Sequence, residues 1–214
     1  LLDIDASRRG GGPNFGLLAD IASEAFIPLC YGGGVTQLKQ IEELFKLGVE
    51  KVAINSSAVG SLALIAEASS VFGNQSILVG IDVRKSLFGR PERYINSATV
   101  NTKEDPVVLA KRAEQAGAGE LLIYSVDRDG TMQGYDVPLV RSVAHSVRIP
   151  VIACGGASCL SDMVQVIEEG GASSAAAGSL FVFQGKHRAV LITYPDEDTL
   201  IGVLSKIEKA NNHE

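Results

Sequence analysis

Short apolar runs, each followed by a polar or glycine-bearing turn and then by a helical pattern, recur along the whole chain. One of them, residues 121–123, shows no alternation of apolar and polar residues, which suits a strand buried on both faces of a parallel sheet. A repeated order of strand, turn and helix calls for a parallel sheet with helices outside it. Seven strands are predicted, at 1–5, 27–31, 51–54, 76–82, 120–125, 149–153 and 172–177.

Helical patterns fill most of the segments between these strands. Asn14 and Asp136 are placed to begin two helices, because their side chains can accept hydrogen bonds from backbone N–H groups of the first turn. Thr36 is expected to cap a third helix, which Gly48 ends. The polar segment 84–99 is expected to form a small hairpin. Further helices are predicted at 61–72, 105–115, 161–169 and 196–209.

An internal repeat relates the two halves of the chain. Ile27-Pro28 recurs 122 residues later as Ile149-Pro150, and Gly33-Gly34 recurs at the same offset as Gly155-Gly156. That offset also relates Thr36 to Ser158, Leu38 to Leu160, Gly48 to Gly170, Ser57 to Ser179 and Asp5 to Asp127. Two half-barrels of related sequence explain this pattern. We therefore predict an α/β fold of the (βα)8 TIM-barrel type, with a doubly wound open sheet as the alternative.

The chain begins at Leu1, inside an apolar run and without a methionine. A (βα)8 barrel whose first βα unit is missing from this chain accounts both for that start and for the number of predicted strands. We therefore interpret residues 1–214 as a single barrel domain that contains strands two to eight.

Composition excludes several classes of partner and site. The net charge of −6 argues against a nucleic-acid surface or an anionic membrane surface. Because no segment has the length and apolarity of a membrane span and no signal peptide is visible, we expect a cytoplasmic protein. An odd number of cysteines without CxxC spacing predicts reduced thiols, at Cys30, Cys154 and Cys159. Three scattered histidines predict no metal site and no cofactor, at His145, His187 and His213.

Carboxylates follow several predicted strands, at Asp3, Asp5, Asp82, Asp127 and Asp129. Barrel enzymes build their sites from the carboxyl ends of the strands. Asp82 differs from the others because a buried strand delivers it there, with basic residues directly behind it. A carboxylate in that position is a suitable general acid or base, since burial and neighbouring charges tune its pKa. The ordinary explanation for the others is a solvated or helix-capping role.

Two glycine turns, Gly33-Gly34 and Gly155-Gly156, each follow a strand and precede a helix. Glycine lets the backbone approach an anion, and unpaired N–H groups at the start of a helix favour phosphate. Each turn has a companion at the end of the next strand, Asn55-Ser56 in the first half and Gly178-Ser179 in the second. The two sites predict a ligand that carries a phosphate at each end and lies across the barrel mouth.

Six motifs resemble the cyclase subunit of imidazole glycerol phosphate synthase. They are Leu-Asp-Ile-Asp-Ala-Ser (2–7), Tyr-Gly-Gly-Gly (31–34), Lys-Val-Ala-Ile-Asn-Ser (51–56), Ile-Asp-Val-Arg (81–84), Ser-Val-Asp-Arg-Asp-Gly-Thr (125–131) and Gly-Tyr-Asp (134–136). The resemblance covers essentially the whole chain. It implies a (βα)8 barrel that pairs with a glutaminase and uses its ammonia to close an imidazole ring on a bis-phosphorylated ribulosyl substrate. The implied products are imidazole glycerol phosphate and an aminoimidazole carboxamide ribonucleotide.

The same resemblance assigns roles to particular residues. Asp82 matches the second member of the family's pair of catalytic aspartates, and the first is expected in the segment ahead of Leu1. Lys51 and Glu120 match half of a four-residue charged gate at the ammonia entrance. Asp127 and Asp129 lie in the substrate-binding loop. The phosphate positions match Gly34, Asn55 and Ser56 on one side, and Gly130, Gly156 and Ser179 on the other.

Departures from that family keep other functions open. Asp5, Tyr124 and Cys154 stand where the histidine-pathway enzymes usually have Thr, Thr and Ser, which predicts a bulkier and more acidic pocket. Residues 185–195 resemble a paralogous branch linked to surface polysaccharides, in which ammonia converts an acetamido sugar to an acetamidino sugar. A sugar-phosphate isomerase barrel would share both phosphate sites but lack the Asp-Arg-Asp-Gly-Thr loop. A non-catalytic scaffold subunit is the remaining alternative.

Overall fold

A computed structural model describes residues 1–6, 10–55, 62–185 and 188–211. Ser56 and Ser57 therefore lie outside the described residues, as do residues 7–9 and part of the 185–195 segment. The chain forms two compact units, Leu1–Leu122 and Ile123–Glu214. Each unit contains one copy of the internal repeat, 27–57 or 149–179.

The first unit is a parallel sheet with a helix after each main strand. Strand β1 pairs in parallel with β2, and β2 pairs in parallel with β3, in register Tyr31 to Val52 and Ala53 to Leu78. Strand β6 lies next to β3 in the sheet order. The elements are α1 (Phe15–Glu24), β1 (Cys30–Gly32), α2 (Leu38–Lys46), β2 (Lys51–Ile54), α3 (Ala63–Phe72), β3 (Ile77–Lys85), β4 (Pro91–Ile95), β5 (Val100–Asn101), α4 (Pro106–Gln115) and β6 (Glu120–Ser125).

The second unit continues the same order. After the last residues of β6 the strands β7 and β8 pair in parallel, with Ala153 opposite Ala175. A short antiparallel pair, β9 and β10, follows. The elements are α5 (Val137–Ala144), β7 (Val151–Cys154), α6 (Leu160–Glu168), β8 (Ser174–Ala176), α7 (Ser179–Val182), β9 (Phe183–Gln184), β10 (Ala189–Val190) and α8 (Glu197–Asn211). The fold class is as predicted: α/β, with the parallel strands and intervening helices of a TIM-type barrel.

The core lies between these strands and their helices. All residues of β3 from Ile77 to Val83 are buried, as the apolar pattern of a parallel strand requires. Strand β6 differs, because Leu121, Ile123 and Ser125 are buried while the residues between them are only half-buried. The prediction that 121–123 is fully buried on both faces is therefore wrong for its central residue. An apolar run does not distinguish a fully buried face from a half-covered one.

The two copies of the repeat have matching local geometry. Asn14 accepts a hydrogen bond from Leu17 N, and Asp136, at the same 122-residue offset, accepts one from Leu139 N. Helices α2 and α6 begin at equivalent residues, and each starts with a capping box. The box pairs Gln37 with Gln40 in one copy and Cys159 with Asp162 in the other. The repeat read from the sequence is thus a repeat of structure.

Several predicted boundaries need correction. Residues 1–5 make one isolated bridge, Leu2 to Gly32, because only a short parallel stretch meets the edge of β1. Strand β1 begins at Cys30, three residues after the expected start, since Phe26 and Ile27 are exposed. Thr36 does not cap α2, because Gln40 folds back to accept from its N–H and Gln37 takes the cap position. The predicted hairpin is confirmed, and it lengthens β3 as far as Lys85.

Candidate functional site

Asp82 lies near the end of the buried part of β3, opposite Tyr94 of β4, with 9% of its surface exposed. Its Oδ1 accepts a hydrogen bond of 2.8 Å from Asn55 Nδ2. Burial raises the pKa of Asp82 to about 6, while the Asn55 hydrogen bond and the charge of Arg93 act in the opposite direction. A carboxyl group with a pKa near neutrality can both accept and return a proton, which is what a general acid–base group requires.

Asn55 follows β2 directly and faces Asp82 with its amide nitrogen. Its Oδ1 is buried and has no hydrogen-bond partner among the described residues. The hydrogen bond from Asn55 therefore orients the Asp82 carboxylate. Gly34 lies against a different part of the chain, where a Cβ added to it would be 2.7 Å from Gly11 O and 3.0 Å from the Ala6 methyl group.

A cleft in the second unit brings together Gly130, Gly156 and Ser179, the three residues of one predicted phosphate site. Its open space is about 260 Å³, and Asp129 and Cys154 also line it. Asp129 and Asp127 are both exposed in the turn after β6. The cleft thus collects residues from the ends of β6, β7 and β8, which the sequence separates by about fifty positions.

The Gly-Tyr-Asp segment organises the wall of this cleft. Gly134 N donates to Gly156 O at 2.8 Å, and the Tyr135 hydroxyl donates to Ala176 O at 3.0 Å. Burial raises the pKa of Tyr135, so its phenol stays a neutral donor. Gly156 has φ +107°, and a Cβ there would collide with Gly134 O. Only glycine allows this close backbone approach.

Lys51 and Glu120 form a salt bridge at the N-terminal ends of β2 and β6. Strand β3 lies between those two strands, so the pair spans its N-terminal end. The Lys51 side chain is 38% exposed and that of Glu120 21%. Cys30 lies beside them, and its burial raises the pKa of its thiol. The structure therefore joins the two predicted gate residues in one partly buried ion pair.

The model of the family described as "Histidine biosynthesis protein" matches residues 1–188. This chain belongs to the histidine biosynthesis protein family.

Several relatives are named as subunits of one enzyme. A Pseudomonas aeruginosa protein named "Putative imidazole glycerol phosphate synthase subunit hisF2" is 48% identical over 200 residues, which cover 94% of this chain and 80% of that protein. A Vibrio vulnificus protein with the corresponding name hisF3 is 42% identical over 196 residues, or 91% and 75% of the two chains. The Prochlorococcus marinus "Imidazole glycerol phosphate synthase subunit HisF" is 44% identical over 181 residues, or 84% and 71%. The resemblance read from the motifs is confirmed at the level of the family.

One residue of this family member that the sequence analysis missed is Arg93, which is 0% exposed. Its Nη1 lies 2.8 Å from Glu104 Oε2, and Arg112 pairs with the other oxygen of the same carboxylate. Within the described part of the chain, Nε and Nη2 of Arg93 have no partner. The sequence gives little signal for the burial of Arg93, because an arginine inside a predicted hairpin is usually exposed.

Among the described residues no group of three or more His, Cys, Asp or Glu side chains is arranged to hold a metal ion. No helix in the described ranges is long and apolar enough to cross a membrane.

Proposed function

We propose that this protein is the cyclase subunit of a glutamine amidotransferase of the imidazole glycerol phosphate synthase type. It takes ammonia from a glutaminase subunit and closes an imidazole ring on a bis-phosphorylated ribulosyl substrate in the cytoplasm. The products are imidazole glycerol phosphate and an aminoimidazole carboxamide ribonucleotide. The observation that carries this proposal is the buried Asp82, in a chain whose relatives are named as subunits of that enzyme.

Asp82 supplies the proton transfers of the reaction. Addition of ammonia to a carbonyl carbon and the later loss of water both need a group that takes a proton from nitrogen and delivers one to oxygen. Asp82 has the required pKa of about 6, and Asn55 holds its carboxylate in one orientation. Both side chains follow parallel strands, so they lie at the end of the sheet where barrel enzymes bind their substrates.

The cleft at Gly130, Gly156 and Ser179 binds one phosphate of the substrate. Backbone N–H groups at glycines and a serine hydroxyl are suitable phosphate donors, and both kinds of group line the cleft. The second phosphate binds at Gly34, Asn55 and Ser56. Asp127 and Asp129 contact the polar middle of the substrate from the turn after β6.

Asp82→Asn in the full-length protein tests the catalytic role. The substitution keeps the size and the hydrogen-bond acceptor for Asn55 but removes proton transfer. Turnover with ammonium salt should fall about 100-fold or more, while substrate affinity changes little because the phosphates anchor both ends. Turnover close to that of the wild type would show that Asp82 only orders the hairpin after it.

A second candidate function is delivery of ammonia for acetamidino-sugar formation in surface-polysaccharide biosynthesis. Two observations favour it: the segment 185–195, and the numbered names hisF2 and hisF3 of close relatives. Growth of a histidine auxotroph that lacks its own cyclase subunit separates the two. Rescue by this protein with its glutaminase supports the histidine-pathway activity, and failure with intact ammonia production favours the second function.

A further inference from the structure

Arg188 reaches the phosphate cleft from outside the family's glycine and serine motifs. It lies in the turn between β9 and β10, and its Nη2 is 3.6 Å from the point where a Cβ of Gly130 would lie. Ser179 Oγ is 3.8 Å from the same point. Gly130 and Ser179 both line the cleft. The guanidinium group and the hydroxyl group therefore approach the cleft at the same place.

The hairpin holds Arg188 in this position through several contacts. Its guanidinium carbon lies 4.8 Å from the centre of the Phe183 ring, so the ring supports the flat face of the group. Arg188 N donates to Gly185 O at 3.0 Å, and Arg188 has φ +50°. A non-glycine residue rarely adopts that backbone conformation. A guanidinium group stacked on a ring keeps its N–H edge available for an oxygen in its own plane.

The charge of Arg188 has no neutralising partner in the described part of the chain, where no carboxylate lies within 4.0 Å of it. In the ion pairs among the described residues, the basic groups of Lys46, Lys51, Arg93 and Arg112 each lie against a glutamate. An exposed cation at the rim of a glycine-lined cleft attracts anions, and guanidinium groups bind phosphate oxygens in a bidentate manner.

We infer that Arg188 is a ligand for a phosphate group in this cleft. This rests on the proposed function, in which the cleft binds one phosphate of the substrate. Arg188 donates two N–H groups to the phosphate oxygens from the solvent side, and Ser179 and the glycine backbone donate from inside.

Titration calorimetry with inorganic phosphate tests the inference on four variants of the full-length protein. Arg188→Gln removes the positive charge and the paired N–H donors of the guanidinium group, and should weaken phosphate binding about tenfold. Arg188→Lys keeps the charge, and its affinity for phosphate should lie between that of Arg188→Gln and that of the wild type. Arg90→Gln is the matched control, since Arg90 is an exposed arginine in the other hairpin, and should change binding less than twofold. Ser179→Ala reports on the cleft independently of Arg188.

The outcomes separate this inference from the proposed function. If Ser179→Ala weakens binding and Arg188→Gln does not, Arg188 is no ligand, while the phosphate site stands. If Arg90→Gln weakens binding as much as Arg188→Gln, the effect is one of net charge and the inference is wrong. If neither Ser179→Ala nor Arg188→Gln has an effect, or the wild type binds no phosphate at 20 mM, roughly twenty times a millimolar Kd, the proposed phosphate site fails as well.

Discussion

Asp82 carries a carboxylate whose ionised form is opposed by burial and supported by one hydrogen bond from Asn55. The buried position is therefore costly for folding at neutral pH and useful for proton transfer. Functional sites commonly hold a group in an environment that a purely structural residue would avoid. Among the described residues, Oδ1 of Asn55 and two nitrogens of Arg93 have no hydrogen-bond partner, and both residues lower the pKa of Asp82.

The raised pKa of Asp82 predicts a pH-dependent cost in stability. The folded state holds the proton of the Asp82 carboxyl group more tightly than the unfolded chain does. The stability that this protonated group contributes is therefore complete below about pH 3.8 and is lost as the pH rises through about 6. The loss amounts to roughly 3 kcal/mol. Asp82→Asn cannot ionise, so its stability relative to the wild type should increase by that order between pH 4 and pH 8.

Urea unfolding at the two pH values measures this difference. Asp20→Asn, at an exposed position of α1, serves as the control for a change of charge without burial. An equal stability difference between Asp82→Asn and the wild type at both pH values would contradict the raised pKa.

At the scale of elements, the turns after the strands decide the geometry of the site. Gly33 and Gly155 occupy equivalent turns, and a Cβ at either would press against the carbonyl oxygen of an equivalent residue, Asp3 or Ser125. These contacts bring each turn against the neighbouring strand end. The capping boxes that follow fix the first turns of α2 and α6.

Two glycines of the cleft should differ in how much stability the protein loses when each is replaced by alanine. Gly156 has φ +107° and its missing Cβ would collide with the Gly134 backbone, so Gly156→Ala should cost about 2 kcal/mol or more. Gly178 has φ −117° and open space around it, so Gly178→Ala should change stability by less than about 1 kcal/mol. Thermal unfolding compares them directly. The larger variant Gly156→Val should also raise KM more than it lowers kcat.

Equal melting temperatures for Gly156→Ala and Gly178→Ala would show that the backbone at Gly156 can move. In that case the close approach to Gly134 would not be needed for the cleft.

At the scale of the whole molecule, two charged residues lie at the N-terminal ends of strands, away from the carboxyl ends that carry Asp82 and the cleft residues. Lys51 and Glu120 neutralise each other in a partly buried pair. An isolated pair of this exposure contributes at most about 1 kcal/mol to stability, so structural need alone does not explain two charged residues in otherwise apolar strands. We propose that they admit ammonia from a glutaminase, as the proposed function requires.

Lys51→Glu should therefore reduce glutamine-dependent activity far more than activity with added ammonium salt. The reason is that the substitution places two like charges at the proposed entrance while leaving Asp82 and the cleft unchanged. Steady-state rates with each nitrogen source measure the effect. The double variant Lys51→Glu, Glu120→Lys restores the ion pair and should recover part of the loss. Equal reduction of both activities would contradict the assignment of an ammonia entrance.

The amino-acid sequence by itself determined the order of strands and helices, the internal repeat and the family. Those features depend on local apolar periodicity, on capping residues such as Asn14 and Asp136, and on motifs in which neighbouring residues act together. The sequence also predicts candidate sites at the carboxyl ends of the strands, because the ends of parallel strands meet at one edge of a sheet.

The tertiary structure alone decided which side chains face each other. It directed Asn55 to Asp82, joined Lys51 to Glu120 and buried Arg93 against Glu104, and each of these contacts joins residues far apart or on separate elements. It also brought Arg188 to Gly130 and Ser179. Periodicity specifies the face of an element on which a residue lies, whereas packing specifies its partner and its burial. The pKa of Asp82 depends on its partner and its burial. Packing likewise decides which residues line the cleft.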